Sequence, residues 1–394
     1  MKIIPVLELR DVYYAWKFGW LKAMIEVGDT VLFRPEEELG KAFLRRLTIH
    51  EYMKRILRTD TYNLKFMLDH GIFVSNKQFR NFFHIEKTPE NLVRVHSILG
   101  VDYAFAYDVP ARFHLQSAIE MTIAKLNAGW YDEQVIKSIY PEMKYKVEKI
   151  ANMLIPLVSG VEEVRKKVYR VLKDNSLKDE IESLSLFAIE ESLKNLKRQL
   201  EAKSKLQSKY TLLPVVQGLS VEHAKMSMKE SIDTLLSFGE KDLYLAIGTS
   251  GATLSDEGAK TINKLLLFGN DYAKKHGVSI KFHVLGVSSA PKVNLLRVDL
   301  IYSVDATTTR KRATQGKLFT LKDGKLQVVH ISKIDKEKWD CKCPACISFK
   351  DYIFDPTGSR RNDVRLVHNM YIVKKYHEER RNVLISNVYK RANS

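Results

Sequence analysis

The sequence predicts an α/β fold, and within that class a (β/α)8 TIM barrel, on two observations. First, short apolar runs that end in a polar residue or a glycine recur along the chain. They are "IIPVLEL" (3–9), "TVLFRP" (30–35), "LKFMLDHG" (64–71), "YAFAYD" (103–108), "LLPVVQG" (212–218), "LYLAIG" (243–248), "KFHVLG" (281–286) and "LIYSVD" (300–305). Such runs suit parallel strands buried on both faces. Second, helical patterns lie between the later runs. In "SDEGAKTINKLLLFGNDYAKKHG" (255–277) Ser255 is a candidate cap, apolar residues recur at spacings of three and four, and Gly277 supplies a stop. Strand and helix alternating over this length point to a barrel whose chemistry lies at the strand C-termini.

Taken in order, the first one or two runs belong either to the barrel or to an N-terminal antiparallel layer. Runs three, four and eight end in Asp69, Asp108 and Asp305, and on a barrel those ends converge on one mouth. Residues 114–210 interrupt the alternation. There "DEIESLSLFAIEESLKNLKRQLEAK" (179–203) reads as a helix, with Ile189, Leu193, Leu196 and Leu200 on one stripe. The expected organisation is therefore 1–113 as the first part of the barrel and 114–210 as a helical insertion. The second part of the barrel follows at 211–330, then a metal-binding subdomain with a basic C-terminal helix at 331–394. The insertion is read as a cover over the mouth or a helical side domain, with a cap of purely packing role as the plainer alternative.

Lys and Arg outnumber Asp and Glu by 64 to 47, for a net charge of +17. That balance favours a polyanionic partner through phosphate neutralisation and counterion release; the alternative is solubility or a thermophile's Lys/Glu-rich surface. No apolar stretch is long enough for a membrane span. "MKIIPVLELRD" lacks the apolar run of a signal peptide. The cysteines do not make a disulfide framework, and a cytoplasmic location is expected.

All the cysteines fall in "CKCPAC": Cys341, Cys343 and Cys346. Three thiolates in C-x-C-x2-C spacing can grip one ion, and a structural Zn2+ takes four Cys or His ligands. His368, in "VRLVHNMYIVKKYHEE", is the expected fourth ligand, with His377 as the alternative. A closed set of four makes the ion structural, so acid–base chemistry has to come from elsewhere.

"YSVDATTTRKRATQGKLFT" (302–320) resembles the nucleophile segment of the tRNA-guanine transglycosylases, in which a strand-ending Asp is followed by Thr-Arg and then Gly-x-x-Phe-Thr. Here these are Asp305, Thr309–Arg310 and Gly316 to Thr320. The cysteine motif follows, and its histidine sits in "LVHN". "VVQG" (215–218), "LAIG" (245–248), "VLGV" (284–287), "FAYD" (105–108) and "LDHGIF" (68–73) resemble further family motifs in the family's order. The superfamily also contains relatives that insert 7-deazaguanine bases into DNA.

The resemblance implies base exchange: a carboxylate attacks the sugar C1′ and expels guanine, and a second group protonates the leaving base. It implies Asp305 as nucleophile and Asp108 as acid/base, with Asp69, Gln217 and Gly248 around the heterocycle. Phe113 is the aromatic nearest the usual stacking position. Arg310, Lys311, Arg312 and Lys317 suit a strip that grips phosphate. Without the resemblance, each Asp reads as a helix cap. His70 stands where the family has Ser. Tyr107-Asp108-Val109-Pro110 replaces Phe-Asp-Glu-Cys, and Thr249 replaces the second glycine of Gly-Gly. The expected substrates are a nucleic acid, DNA ahead of tRNA, and a 7-deazaguanine base; a homodimer is also expected. The competing classes are a non-catalytic nucleic-acid-binding subunit, against which the retention of both Asp108 and Asp305 speaks, and a glycosylase that leaves abasic sites.

Overall fold

The computed structural model describes residues 2–17, 29–58, 61, 64–69, 75–127, 130–157, 175–248, 256–286, 295–306, 308–355 and 360–392. His70, Thr249 and Ser255 lie outside them. The apolar runs form strands β1 (Lys2–Leu7), β2 (Thr30–Phe33), β3 (Lys65–Leu68) and β4 (Tyr103–Phe105), then β5 (Thr211–Leu213), β6 (Val215–Val216), β7 (Asp242–Ile247), β8 (Ser279–Val284) and β9 (Ile301–Ala306). They make one 9-stranded sheet in the order β5-β4-β3-β2-β1-β9-β8-β7-β6. All its pairings are parallel.

The two ends of that order, β5 and β6, are separated in the chain by Pro214 alone. Proline has no N–H to give the ladder, so the strand assignment breaks there. The hydrogen bonds do not: the Ala106 amide donates to the Leu213 carbonyl at 2.7 Å, and the Ala246 amide to the Pro214 carbonyl at 2.9 Å. The sheet thus nearly closes on itself as a barrel. Both N-terminal runs are parallel members of it, with β1 between β2 and β9; the antiparallel layer does not form.

Side chains alternate across this ring. Ile4, Val6, Leu32, Met67, Phe105, Leu213, Val215, Tyr244 and Ala246 fill the interior. Their neighbours Leu7, Val31, Phe33, Phe66, Leu68, Leu212, Val216, Leu245 and Val284 pack outward in the larger core that includes the helices. Burial on both faces is why these segments read as unbroken apolar runs rather than alternating ones. Helix starts are written locally. Thr48 and Ser75 form capping boxes with Glu51 and Gln78. Thr88 caps a helix with Pro89 in its first turn, and Gly100 ends that helix in the left-handed region at φ 63°.

The insertion comprises helices Ala111–Lys125, Glu133–Lys137, Lys144–Leu154 and Asn175–Lys205, so its first helix begins three residues before the expected 114. The last helix has 31 residues, roughly 46 Å at 1.5 Å per residue, and exceeds the expected 179–203 at both ends. Its Leu177, Leu184 and Ala188 join Val109, Leu115, Met143, Val147, Ile150 and Leu154 in a separate small core. Its Leu196 and Leu200 belong to the barrel's outer layer. One helix therefore serves both bodies, because it also returns the chain to β5.

After β9 come helix Thr308–Thr314, the hairpin β10 (Lys317–Lys322) and β11 (Lys325–His330), helix Pro344–Phe354 and helix Arg360–Ala392. No helix among the described residues is long and apolar enough to cross a membrane.

Candidate active site and metal centre

In the ring order β4-β3-β2-β1-β9, four steps separate β4 from β9. The nearly closed sheet continues the other way round through β5, β6, β7 and β8, so these two strands lie well apart around it. Asp108 follows β4 and Asp305 lies in β9. Both are buried, 7% and 8% exposed, which is unusual for carboxylates without partners.

Each has partners. Gln217 Nε2 donates to Asp108 Oδ2. The Gln217 backbone N–H is held by Ser227 Oγ at 3.0 Å, and Gln217 continues the inward alternation of Leu213 and Val215. Gly218, next to it, has φ 147°, and a Cβ there would lie 2.5 Å from the Ala224 amide nitrogen; the turn into the next helix requires glycine. Asp305 Oδ1 accepts from the backbone N–H of Gly286. His283 Nε2 approaches the same oxygen at 3.6 Å.

The backbone around Asp108 is fixed by the long insertion helix. The Tyr107 amide donates to Gln199 Oε1 at 2.7 Å, and the Val109 amide to Ser192 Oγ at 2.8 Å. Ser185 on the same helix accepts from the Leu219 amide at 3.1 Å, just beyond Gln217.

Asp69 follows β3, with Arg34 Nε 3.9 Å from its Oδ2. Lys87 is 8% exposed, with its Nζ 5.5 Å from the Tyr107 ring centroid. Burial pushes its ammonium down to about 8, against the opposing pull of Asp69 and Asp108. Sequence reasoning missed Lys87, which precedes the Thr88–Pro89 helix start and reads as a surface charge. It also missed His283, which shares a face of β8 with position 281 and lies among the apolar residues of that run.

Gly248 follows β7 and lines a cavity of about 290 Å³ with Gly218, Ser220, Glu257 and Thr261. Arg112 also lines that cavity; the neighbouring Phe113 is half-buried with its ring edge-on to His114. Arg310 Nη2 lies 3.2 Å from Asp11 and 3.7 Å from Glu8. With Arg34 and Lys311 it lines a second cavity of about 400 Å³ at the ends of β1 and β2. Arg312 turns away to Gln315 at 3.4 Å, where Lys317 also bonds at 3.3 Å. The expected cationic strip is thus split, because residues two apart on a helix point to nearly opposite sides.

Cys341, Cys343, Cys346 and His368 bring their ligand atoms within 4.8 Å of one another. His368 Nδ1 lies 3.6, 3.3 and 3.3 Å from the three sulfurs. A tetrahedron with bonds of about 2.0–2.3 Å has edges of about 3.3–3.8 Å, so this is a geometry that can hold a metal ion such as zinc. Cys343 also caps helix Pro344–Phe354, accepting from the Cys346 amide, with Pro344 in the first turn. His368 Nε2 donates to the Phe319 carbonyl at 2.9 Å, which leaves Nδ1 free to ligate. Hydrogen bonds from Cys343 and Cys346 push the Cys341 thiol down, and the reciprocal bonds push the Cys346 thiol up. Thiols this close cannot all ionise without a cation among them. His377 is not a member of the group.

Asn369, beside the histidine, accepts from the Phe319 amide at 2.8 Å and donates to the carbonyls of Lys317 at 3.1 Å and Thr309 at 3.3 Å. It fastens the Cys3His unit to the segment that follows Asp305. Fold and site together define an α/β protein with a nearly closed, barrel-like parallel sheet, buried carboxylates at two of its strand ends and a Cys3His group. No protein family and no curated protein matches the sequence.

Proposed function

We propose that this protein is a nucleic-acid guanine transglycosylase, exchanging guanine for a 7-deazaguanine base, with DNA ahead of tRNA as the substrate. The observation that carries the proposal is the pair Asp108 and Asp305: two buried carboxylates at two strand ends, each oriented by a neighbour, Gln217 and Gly286. In this reading the ring is a (β/α)8 barrel, β5 and β6 being two halves of one strand broken at Pro214, and the ion is a structural Zn2+.

The nucleotide leaves its stack to reach the mouth. An Asp305 oxygen attacks C1′, the glycosidic C–N bond breaks, and its electron pair goes to the departing base. Asp108 delivers a proton to that base. The sugar is then an ester of Asp305. The incoming base loses a proton to Asp108 and attacks C1′ with the freed pair, which releases Asp305 as carboxylate. Burial of both acids keeps water from intercepting the ester. Gln217, bonded to Asp108, is placed to read the base edge beside it; Asp69 and Lys87 complete the wall. Arg34, Arg310 and Lys311 around the 400 Å³ cavity suit a flanking phosphate.

Labelled guanine tests this. Duplex DNA or tRNA that carries the target guanine should take up label with the parent protein and take up none with Asp305→Asn. Binding without uptake by the parent protein would place it among the non-catalytic subunits. Free base together with abasic sites would make it a glycosylase.

A further inference from the structure

His283 is completely buried on the inward face of β8, and its Nε2 has no hydrogen-bond partner. A buried polar atom left in that state needs a reason. The nearest polar group is informative: Asp305 Oδ1, 3.6 Å away, is too far for a hydrogen bond but within reach of a small side-chain movement. On the other side of the ring, Nδ1 lies 2.7 Å from Ser303 Oγ. Ser303 Oγ in turn bonds the Tyr244 hydroxyl. Ser303 and Tyr244 are also buried, 0% and 2% exposed.

Donor and acceptor capacity gives this line a direction. An ionised Asp305 can only accept. A donor facing it from His283 must therefore be Nε2–H, and in the neutral imidazole Nδ1 is then the acceptor. Ser303 then donates to Nδ1, and its oxygen is free to accept from Tyr244. Burial raises the Tyr244 phenol, so it stays protonated and donating. Phe105, edge-on with its ring centroid 5.5 Å from that of His283, fills the space beside the imidazole.

We propose that Tyr244, Ser303 and His283 form a one-way donor chain inside the barrel that orients the Asp305 carboxylate for attack. Resting on the transglycosylase reading, this adds a second donor to the Gly286 amide at the same oxygen and leaves the other oxygen directed at the sugar. His283 is a positioning residue: it moves no proton and touches no substrate. Its contact closes as Asp305 takes up the attacking geometry, since hydrogen bonds around a catalytic group tighten in the reactive complex.

The test has two arms. In single-turnover and steady-state exchange, His283→Leu should lower kcat by about 10- to 100-fold, the scale of one donor to a charged group, with KM for the nucleic acid within about twofold. His283→Gln, whose amide reaches the Nε2 position, should recover most of that loss. A folded His283→Leu with parental kcat would overturn the proposal. The second arm needs no activity: nitrogen NMR of the wild-type protein labelled at histidine. His283, assigned by its loss in His283→Gln, should be neutral with Nε2 protonated and Nδ1 bare, and Asp305→Asn should shift the Nε2–H signal. The opposite tautomer, or an indifferent signal, would overturn the proposal. If the wild-type protein exchanges no base, the transglycosylase reading fails, and the NMR arm still decides whether His283 addresses Asp305.

Discussion

At the scale of single residues, burial separates the charges that have work from those that decorate the surface. Asp363, at the start of helix Arg360–Ala392, is an example outside the mouth. Burial first, and then Asp11, push its carboxyl up to about 7, with Arg310 pulling the other way. A raised acid is held in its protonated form by the fold. Its stabilising contribution is therefore complete below the ordinary carboxylate range and is lost as pH rises through about 7. Asp363→Asn should accordingly raise Tm at pH 8 and leave it unchanged near pH 4, as thermal unfolding at the two pH values will read. A pH-independent effect would show that Asp363 ionises freely. The Cys3His residues were legible in the sequence because they stand at ligand spacing, and the strand-end positions of Asp108, Asp305 and Gln217 were legible because each closes an apolar run; the roles given to those three come from the resemblance alone. His283 was not. Its meaning depends on the β8–β9 register that sets it beside Ser303, and no local pattern encodes pairing between strands. The Arg310–Arg312 strip misled for a related reason: adjacency in sequence is not adjacency on a helix.

At the scale of elements, the insertion is more than a cover. Helix Asn175–Lys205 supplies Gln199 and Ser192 as acceptors for the amides on either side of Asp108, and Ser185 for the amide of Leu219. Removing an acceptor from a buried N–H costs about 1–3 kcal/mol. Ser192→Ala combined with Gln199→Leu should therefore lower both Tm and the exchange kcat, while nucleic-acid binding persists and circular dichroism retains the helices. Unchanged kcat in a folded double variant would reduce the insertion to packing. The 3.6 periodicity of this helix could be read from Ile189, Leu196 and Leu200, all 2% exposed. What could not be read is that its polar positions, 185, 192 and 199, spaced by seven, face the β4 and β6 strand ends. Periodicity marks apolar faces, whereas these are polar residues, Ser185 and Gln199 buried and Ser192 half-buried, that meet backbone partners. Pro214 likewise hid inside one apolar run; only the pairing on its two sides reveals that it sits at the closure of the sheet.

At the scale of the whole molecule, the metal centre and the mouth are one mechanical unit. His368 bonds Phe319 and Asn369 bonds Thr309, so the helix that completes the Cys3His group also holds the segment after Asp305. The protein should carry one zinc per chain by elemental analysis. Chelation should lower Tm, by about 2–4 °C for each kcal/mol lost, and should reduce exchange even though the ion touches no reactant. Full activity in metal-free protein would uncouple the two. The positive charge belongs to the same scale: binding should weaken steeply with salt, as counterion release requires. The most direct measurement is the covalent one. Protein mixed with labelled target nucleic acid, quenched in denaturant and digested, should yield a sugar-linked peptide spanning residues 302–320 with the modification on Asp305, and none from Asp305→Asn. A linkage on any other residue, or base release with no protein-bound label at any time point, would contradict the assignment of Asp305 as nucleophile.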